Sequence, residues 1–232
     1  TNDDVTYRID VPSFRSSKDL EIKEDIVEEI ARLYGFNKIS LQLPRIFRRP
    51  FSLAPILRRR AIKNYLAQAA AMMEQQNYSF FDEQFLVSLG LQEQQTITLL
   101  NPVSENYCRL ITSLVPGLLK NMQANFVHRD TINFFEVGRI WSKLGNDTVE
   151  KVSVAGLFFH RRLTVDFYES KHHIEQMLTT LGFNLLHVQW KKMEESALAW
   201  YKPYQSAELM YQGQCIGRAG KINPAFMHKL DV

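Results

Sequence analysis

The sequence predicts an α+β fold in which helices flank a mainly antiparallel sheet. Residues 132–141 and 152–159 are runs rich in β-branched and aromatic side chains, which is typical of strands. Residues 207–217 have the pattern of a hairpin that turns at Gln212-Gly213. Apolar residues at a period of 3.6 predict helices between these strands. Strands grouped into hairpins with helices inserted between them favour an antiparallel sheet.

Length and composition fit a soluble globular protein with one large domain and a smaller piece. Of the 232 residues, 45% are hydrophobic and 23% are charged. No apolar run approaches the roughly 18 residues that span a bilayer, and no signal peptide is recognisable. We therefore expect no membrane partner. The two cysteines, Cys108 and Cys215, make neither a disulfide framework nor a metal cluster, which fits a reduced, cytoplasmic setting. The net charge of +3 is compatible with a nucleic-acid partner. The first residue is not Met, which suggests a piece of a longer protein.

The first half of the chain predicts two helices joined by a linker. One helix begins near Asp25, carries apolar residues on one face, and ends at Gly35. Residues 40–50 contain two prolines and little periodicity, which predicts a linker. A second helix follows, with one broad apolar stripe. The stripe consists of Leu57, Ala61, Ile62, Tyr65, Leu66, Ala69, Met72 and Met73.

The remaining elements alternate between strands and helices. Residues 96–100 predict a strand that ends at Asn101-Pro102. Residues 114–126 predict a helix with one apolar face, and residues 174–181 predict another, which stops at Gly182.

Several segments match one known family in order and spacing. The most specific is residues 100–119, which contain Leu100-Asn-Pro-Val-Ser104 and Pro116-Gly-Leu-Leu119. The other matching segments are residues 11–39, 78–81, 134–140, 165–171, 206–208, 217–224 and 230–232. Together they resemble the β subunit of bacterial-type phenylalanine–tRNA ligase, in which residues 78–81 would be the first core strand and residues 230–232 the exit strand. Two places depart from the family pattern: His172 stands where Gly is usual, and residues 201–205 replace a His-Pro-Gly-Arg-like run.

The resemblance implies a division of the chain and a role for it. Residues 1–42 would be the carboxy-terminal part of a small α/β domain, and residues 43–232 a catalytically inactive class II synthetase-like core. The implied role is structural and partner-binding, with no catalytic residues in this piece. In an α2β2 heterotetramer, the α subunit would bind ATP and attach phenylalanine to tRNA(Phe). The alternative is a stand-alone RNA-binding or regulatory paralogue.

Four carboxylates are the best candidates for a metal site: Asp19, Asp25, Glu28 and Glu29. Asp25, Glu28 and Glu29 are spaced i, i+3 and i+4, so they emerge on one helical face, and a loop could bring Asp19 beside them. Hard oxygen ligands suit Mg²⁺, and the resemblance implies a magnesium site here, completed or influenced by the α subunit. Acids in a first helical turn could equally serve the helix dipole alone.

The motifs of an active class II core are not recognisable in the sequence. Such a core grips ATP phosphates with arginines, one of which lies in an Arg-x-Glu strand. Here Phe135-Glu-Val-Gly-Arg139 has the acid before the arginine, and Gly217-Arg-Ala-Gly220 is a short hairpin edge. A structural ion pair and turn glycines account better for both segments.

Two further surfaces are candidates for partner contacts. Arg109, Leu114, Leu118 and Met122 belong to the segment that resembles the family's subunit interface, although ordinary core packing would explain them too. Arg58, Arg59 and Arg60 are part of a basic stretch from Arg45 to Lys63, and clustered basic side chains can bind tRNA phosphates. That stretch could equally be a solvated face or an α-subunit contact.

Overall fold

The computed structural model describes residues 6–43, 47, 51–91, 96–145, 147–193 and 198–231. The chain divides into two compact units, Thr1–Phe51 and Ser52–Val232. The helices of the described residues are α1 (Lys23–Tyr34), α2 (Ala54–Asn64), α3 (Glu83–Leu89), α4 (Val115–Asn125), α5 (Phe167–Thr180) and α6 (Pro224–Lys229). The strands are β1 (Met73–Glu74), β2 (Thr131–Leu144), β3 (Asp147–His160), β4 (Val188–Lys192), β5 (Tyr201–Tyr211) and β6 (Gln214–Ile222). Arg45, Arg48, Arg49 and Val232 lie outside the described residues.

Helix α1 is the α-helix of the first unit's described residues. It starts after Ile22, whose N–H donates to Asp25, and stops at Gly35, where φ is +96°. The predicted helix and its glycine stop are therefore confirmed. Its apolar face, however, is open: Leu33 is 91% exposed, and no described residue of this unit is buried.

The second unit is built on two three-stranded sheets. In the first, β2 and β3 pair antiparallel along their whole length, from Thr131–His160 to Leu144–Asp147, and the two-residue strand β1 lies parallel to β2. In the second, β4, β5 and β6 are all antiparallel. The predicted α+β class with mainly antiparallel pairing is confirmed, but the strands divide between two sheets where one was expected.

The hairpin between β5 and β6 turns at Gln212 and Gly213, as the sequence predicts. Both residues have positive φ, +49° and +82°, which is the conformation that a tight hairpin turn requires. The departure from the family pattern at residues 201–205 lies in β5. There Tyr204 also has positive φ, +63°, and the pairing with β6 shifts register between Tyr201 and Ser206.

Three predicted strands are wrong in the described residues. Residues 96–100 and 78–81 each make a single bridge, Thr98 to Arg109 and Phe80 to Leu110. Both lie against residues 108–111, on opposite sides: Ile111 donates to the carbonyl of Ser79 at 3.1 Å, and Leu99 donates to the carbonyl of Cys108 at 2.8 Å. Neither pairing extends far enough to form a strand. The exit strand expected at residues 230–232 is also wrong at its first two residues: Leu230 is the C-cap of α6, and Asp231 follows in a turn.

The second predicted helix is real but shorter than its apolar stripe. Helix α2 ends at Asn64 and continues as one π-helical turn, Tyr65–Ala69, before the chain enters β1. Of the predicted stripe, Leu66 and Met72 are buried, and Ala61, Ile62 and Tyr65 are half-buried. The prediction is wrong at Leu57, Ala69 and Met73, which are exposed.

The main core lies between α4 and the first sheet. Leu118, Leu119 and Met122 pack with Ile132 and Phe134 of β2. A second cluster joins Leu66 and Met72 to Phe135 and Met177. Among the described residues, no helix combines the length and the apolar character needed to cross a membrane.

Candidate functional site

Arg15 connects two of the four predicted metal ligands. Its Nε donates to Asp19 Oδ2 at 2.7 Å, and its Nη2 donates to Glu29 Oε1 at 2.8 Å. Glu29 Oε1 also accepts from Arg32 Nη1 at 3.2 Å. The loop before α1 and the helix itself are therefore joined by a guanidinium that lies between the two carboxylates.

The hydrogen bonds in this network set the charge of its members. The hydrogen bond from Arg15 holds the pKa of Asp19 and the pKa of Glu29 below their usual values. The hydrogen bonds to Asp19 and Glu29 in turn raise the pKa of Arg15. All three groups are therefore charged at neutral pH, and Arg15 is the shared counter-ion of the two carboxylates.

Asp25 is used by the backbone at the start of α1. Its Oδ2 accepts the N–H groups of Glu21 at 2.8 Å and Ile22 at 3.0 Å, so it satisfies two donors that would otherwise lack a partner at a helix start. Asp25 therefore stabilises the amino-terminal end of α1, which is the alternative to metal binding that the sequence left open.

The four carboxylates are not gathered around one point: Asp19, Asp25 and Glu29 each have a hydrogen-bond partner within the first unit, and Glu28 is exposed. Within the described ranges, no three or more His, Cys, Asp or Glu side chains are grouped so that they could hold a metal. Asp19 and Glu29 share a guanidinium, and Asp25 caps a helix. Magnesium takes oxygen ligands at about 2.0–2.1 Å around one centre, so binding at these carboxylates would require Asp19 and Glu29 to turn away from the Arg15 guanidinium.

Glu136, in the segment Phe135-Glu-Val-Gly-Arg139, points into the protein. It is 5% exposed, and its two oxygens accept from the backbone N–H and the Nδ2 of Asn77, both at 2.9 Å. Asn77 follows β1, so Glu136 fixes the chain that leaves the short parallel pairing. It also lines a cavity of about 90 Å³ with residues that include Asp82, Lys120 and Tyr107.

The arginines on the strands are paired with carboxylates of neighbouring strands. Arg139 on β2 contacts Glu150 on β3 at 3.2 Å, and Arg218 on β6 donates to Glu208 on β5 at 3.0 Å. The Arg139 pair is the structural ion pair that the sequence analysis preferred over a phosphate-binding arginine. The turn glycines preferred for residues 217–220 are wrong, because Gly217 and Gly220 lie within β6.

The residues predicted for a subunit interface lie inside the chain's own core. Leu114, Leu118 and Met122 are 3%, 1% and 1% exposed, so their side chains have no surface left for a partner. Arg109 donates from Nε and Nη2 to the two oxygens of Glu83, at 2.7 and 2.6 Å. Core packing, the alternative left open, therefore explains the three apolar residues, and a fold-stabilising ion pair explains Arg109.

The predicted basic surface lies on α2. Arg58, Arg59 and Arg60 are exposed, and within the described part of the chain none of them makes an ion pair. Arg59 and Arg60 line an open groove of about 400 Å³ together with Lys63, which is itself paired with Glu74. Such a groove offers two uncompensated guanidinium groups to an anion.

Sequence patterns missed two polar pairs, Glu136 with Asn77 and Asp82 with Lys120. Asp82 caps α3 through the N–H of Phe85 and is also paired with Lys120 on α4. Its position before an apolar helical run is a recognisable capping signal. No comparable local signal exists for the first pair, because Asn77 and Glu136 are 59 positions apart.

Two family models match the chain. Residues 51–232 match the family described as the phenylalanyl tRNA synthetase beta chain CLM domain, and residues 1–36 match the tRNA synthetase B5 domain.

Curated relatives named phenylalanine–tRNA ligase beta subunit are similar to the whole chain. The protein from Geobacillus kaustophilus is 29% identical over 100% of this chain, and the protein from Hahella chejuensis is 31% identical over 92% of it. The one from Bacillus licheniformis is 30% identical over 97%. The chain spans only 30%, 28% and 29% of the lengths of these three relatives.

Proposed function

Because the chain belongs to the family of phenylalanyl-tRNA synthetase β chains, we propose that it forms the structural body of the β subunit of phenylalanine–tRNA ligase. In this role it supports the ATP-dependent attachment of phenylalanine to tRNA(Phe), while a partner α subunit carries the chemistry. The proposed assembly is an α2β2 heterotetramer in the cytoplasm. The observation that carries the proposal is the family match over residues 51–232, joined with the name shared by the three relatives.

We propose further that the second unit is a class II-like core without catalytic activity. Phosphoryl and adenylyl chemistry in such cores depends on cations that stay available for the substrate's phosphates. Arg139 and Arg218 instead pair with carboxylates at 3.2 and 3.0 Å. Glu136 is buried against Asn77. These contacts support a core whose charged strand residues stabilise the fold.

Phenylalanine-dependent ATP–pyrophosphate exchange tests this assignment. The purified chain alone is expected to show no exchange, and exchange is expected only when the α subunit is present. Substituting Arg139→Ala should leave the exchange rate of the assembled complex unchanged within about twofold, because Arg139 pairs with an exposed glutamate. Exchange by the chain alone that Arg139→Ala abolishes would refute the proposal.

ATP and Mg²⁺ are the proposed cofactors of the complex, with ATP bound by the α subunit. The alternative function, a stand-alone RNA-binding or regulatory paralogue, would not require that subunit. Co-purification with a class II catalytic subunit from the source cell separates the two, since a paralogue that works alone would elute without it.

We also propose that α2 contacts tRNA phosphates through Arg58 and through Arg59 and Arg60, which line the groove. This proposal is supported by the exposure of the three arginines and by the lack of a paired carboxylate at each of them among the described residues. Reversing two charges, Arg58→Glu with Arg59→Glu, should weaken tRNA binding and reduce the slope of log affinity against log salt by about one for each phosphate that the protein no longer neutralises. The matched control is Lys143→Glu with Lys151→Glu on the β2–β3 hairpin, which changes the net charge equally. Equal slopes for the two double variants would remove α2 from the tRNA surface.

A further inference from the structure

We infer that Glu74 competes with phosphate in the groove on α2: its carboxylate holds Lys63, which becomes available to an anion only when this pair opens. Lys63 and Glu74 are in contact, and both line the groove with Arg59 and Arg60. The inference rests on the proposed function, from which it takes nucleic-acid phosphates as the anion. It adds a residue that lowers the affinity of this surface and determines which anions the surface retains.

The two members of the pair belong to different elements of the second unit. Lys63 lies in the last turn of α2, and Glu74 is the second residue of β1. The backbone of β1 is held by its pairing with β2, in which Glu74 is the partner of Phe135 and the N–H of Gln75 donates to the carbonyl of Phe135 at 2.7 Å. The sheet therefore fixes the backbone from which Glu74 reaches Lys63.

The pair is open enough to water for an anion to separate it. The side chains of Lys63 and Glu74 are 36% and 42% exposed. Ion pairs with this much contact with solvent contribute little to stability and are screened by salt. The contact thus occupies Lys63 while the groove holds no anion, and it yields when a stronger negative charge arrives.

The charges of the groove favour a chain of phosphates over a single one. Arg59, Arg60 and Lys63 carry three positive charges, and Glu74 is the one carboxylate among the described residues that line the groove. A lone phosphate that reached Lys63 would have to displace Glu74 and would then be repelled by it at short range. In a nucleic-acid strand, a phosphate already bound by the arginines keeps its neighbour at a high local concentration near Lys63. The groove therefore fits a phosphodiester strand better than a free phosphate or a mononucleotide.

Binding of fluorescently labelled tRNA to the chain, followed by anisotropy over a series of salt concentrations, tests this inference. Glu74→Gln is expected to tighten binding by about two- to fivefold at low salt and to steepen the slope of log affinity against log salt by about one, because Lys63 then neutralises one more phosphate. Lys63→Gln should leave the wild-type affinity unchanged within about twofold, but it should remove the whole gain when combined with Glu74→Gln. Glu150→Gln is the matched control, since it removes the carboxylate of another exposed ion pair and changes the net charge equally.

Two results would overturn the inference. One is an affinity and a salt slope for Glu74→Gln that equal those of Glu150→Gln. The other is a loss of affinity on Lys63→Gln that is the same with Glu74 present and absent, because Lys63 would then be available to phosphates throughout. Glu74→Ala, which should act in the same direction as Glu74→Gln, takes its place if circular dichroism shows that the glutamine variant does not fold.

Inorganic tripolyphosphate, titrated by calorimetry, separates this inference from the proposed tRNA surface. It should bind Glu74→Gln more tightly than the wild type, and Lys63→Gln should again remove the gain. Loss of this gain would overturn the competition between Glu74 and phosphate. If the gain persists while reversal of Arg58 and Arg59 leaves tRNA binding unchanged, the competition is supported and the proposed tRNA contact is wrong.

Discussion

Glu136 offers the sharpest test of how the second unit is held together. Replacing it with alanine removes the acceptors of the Asn77 N–H and Nδ2, which lie 2.9 Å from the two carboxylate oxygens. Water cannot readily take over because Glu136 is 5% exposed. Each donor left without a partner costs about 1–3 kcal/mol, so Glu136→Ala should lower the free energy of unfolding by about 3 kcal/mol. Glu136→Gln keeps one acceptor oxygen and should cost about 1 kcal/mol.

Urea unfolding followed by far-ultraviolet circular dichroism measures both effects. The midpoint should shift while the slope against urea stays constant, since the loss concerns the folded state. Glu150→Ala is the matched control. That glutamate is half exposed in its ion pair with Arg139, so its loss should cost less than about 1 kcal/mol. The role given to Glu136 is wrong if Glu136→Ala costs no more than the control, or if alanine and glutamine cost the same.

Two other predictions concern pH and close packing. Burial raises the pKa of Asp82, but hydrogen bonds led by that from Lys120 outweigh burial and lower it overall. Asp82 therefore stabilises the fold at neutral pH and loses this contribution as the pH falls through its folded-state pKa. The stability difference between wild type and Asp82→Asn, measured by urea unfolding, should close below about pH 4. A Cβ on Gly220 would lie 2.6 Å from the Cβ of Ser206, so Gly220→Ala should lower the free energy of unfolding by about 1–3 kcal/mol. Gly217→Ala, with only ordinary contacts, serves as control.

Each of these two predictions would be refuted by a specific result. An Asp82→Asn stability difference that stays constant down to pH 2 would show that the carboxylate charge does not contribute. Equal melting temperatures for the two alanine variants would show that the strand around Gly220 relaxes without cost.

Local patterns predicted the elements whose determinants are local. The β5–β6 turn depends on two neighbouring residues that accept positive φ, and Gly213 meets that need without steric cost. Helix α5 and its stop need a periodic run and a glycine, and the prediction over residues 174–181 found both, although the helix begins earlier, at Phe167 after its N-cap Asp166. Strands 78–81 and 96–100 failed because a strand also needs a partner edge, whose length no local pattern records.

The candidate site was less predictable, because a pattern of residue types does not state what each side chain meets. Leu118 and Met122 have the spacing of an apolar helical face, and the same spacing serves a core or a subunit interface. Asp19 and Glu29 have the chemistry of metal ligands, yet the cation beside them is Arg15, which lies four and fourteen positions away. Acid spacing predicted proximity; only the coordinates identify the counter-ion.

The use of charge links these observations to the proposed role. A site that binds nucleotide phosphates must keep cations without internal partners, because their potential is what the substrate responds to. On the strands and in the first unit, charges are instead paired inside the chain: Arg139 with Glu150, Arg218 with Glu208, and Arg15 with Asp19 and Glu29. The uncompensated arginines of α2 lie on an exposed helix. Pairing of this kind stabilises the fold, and the exposed arginines of α2 keep their charge available to a polyanion.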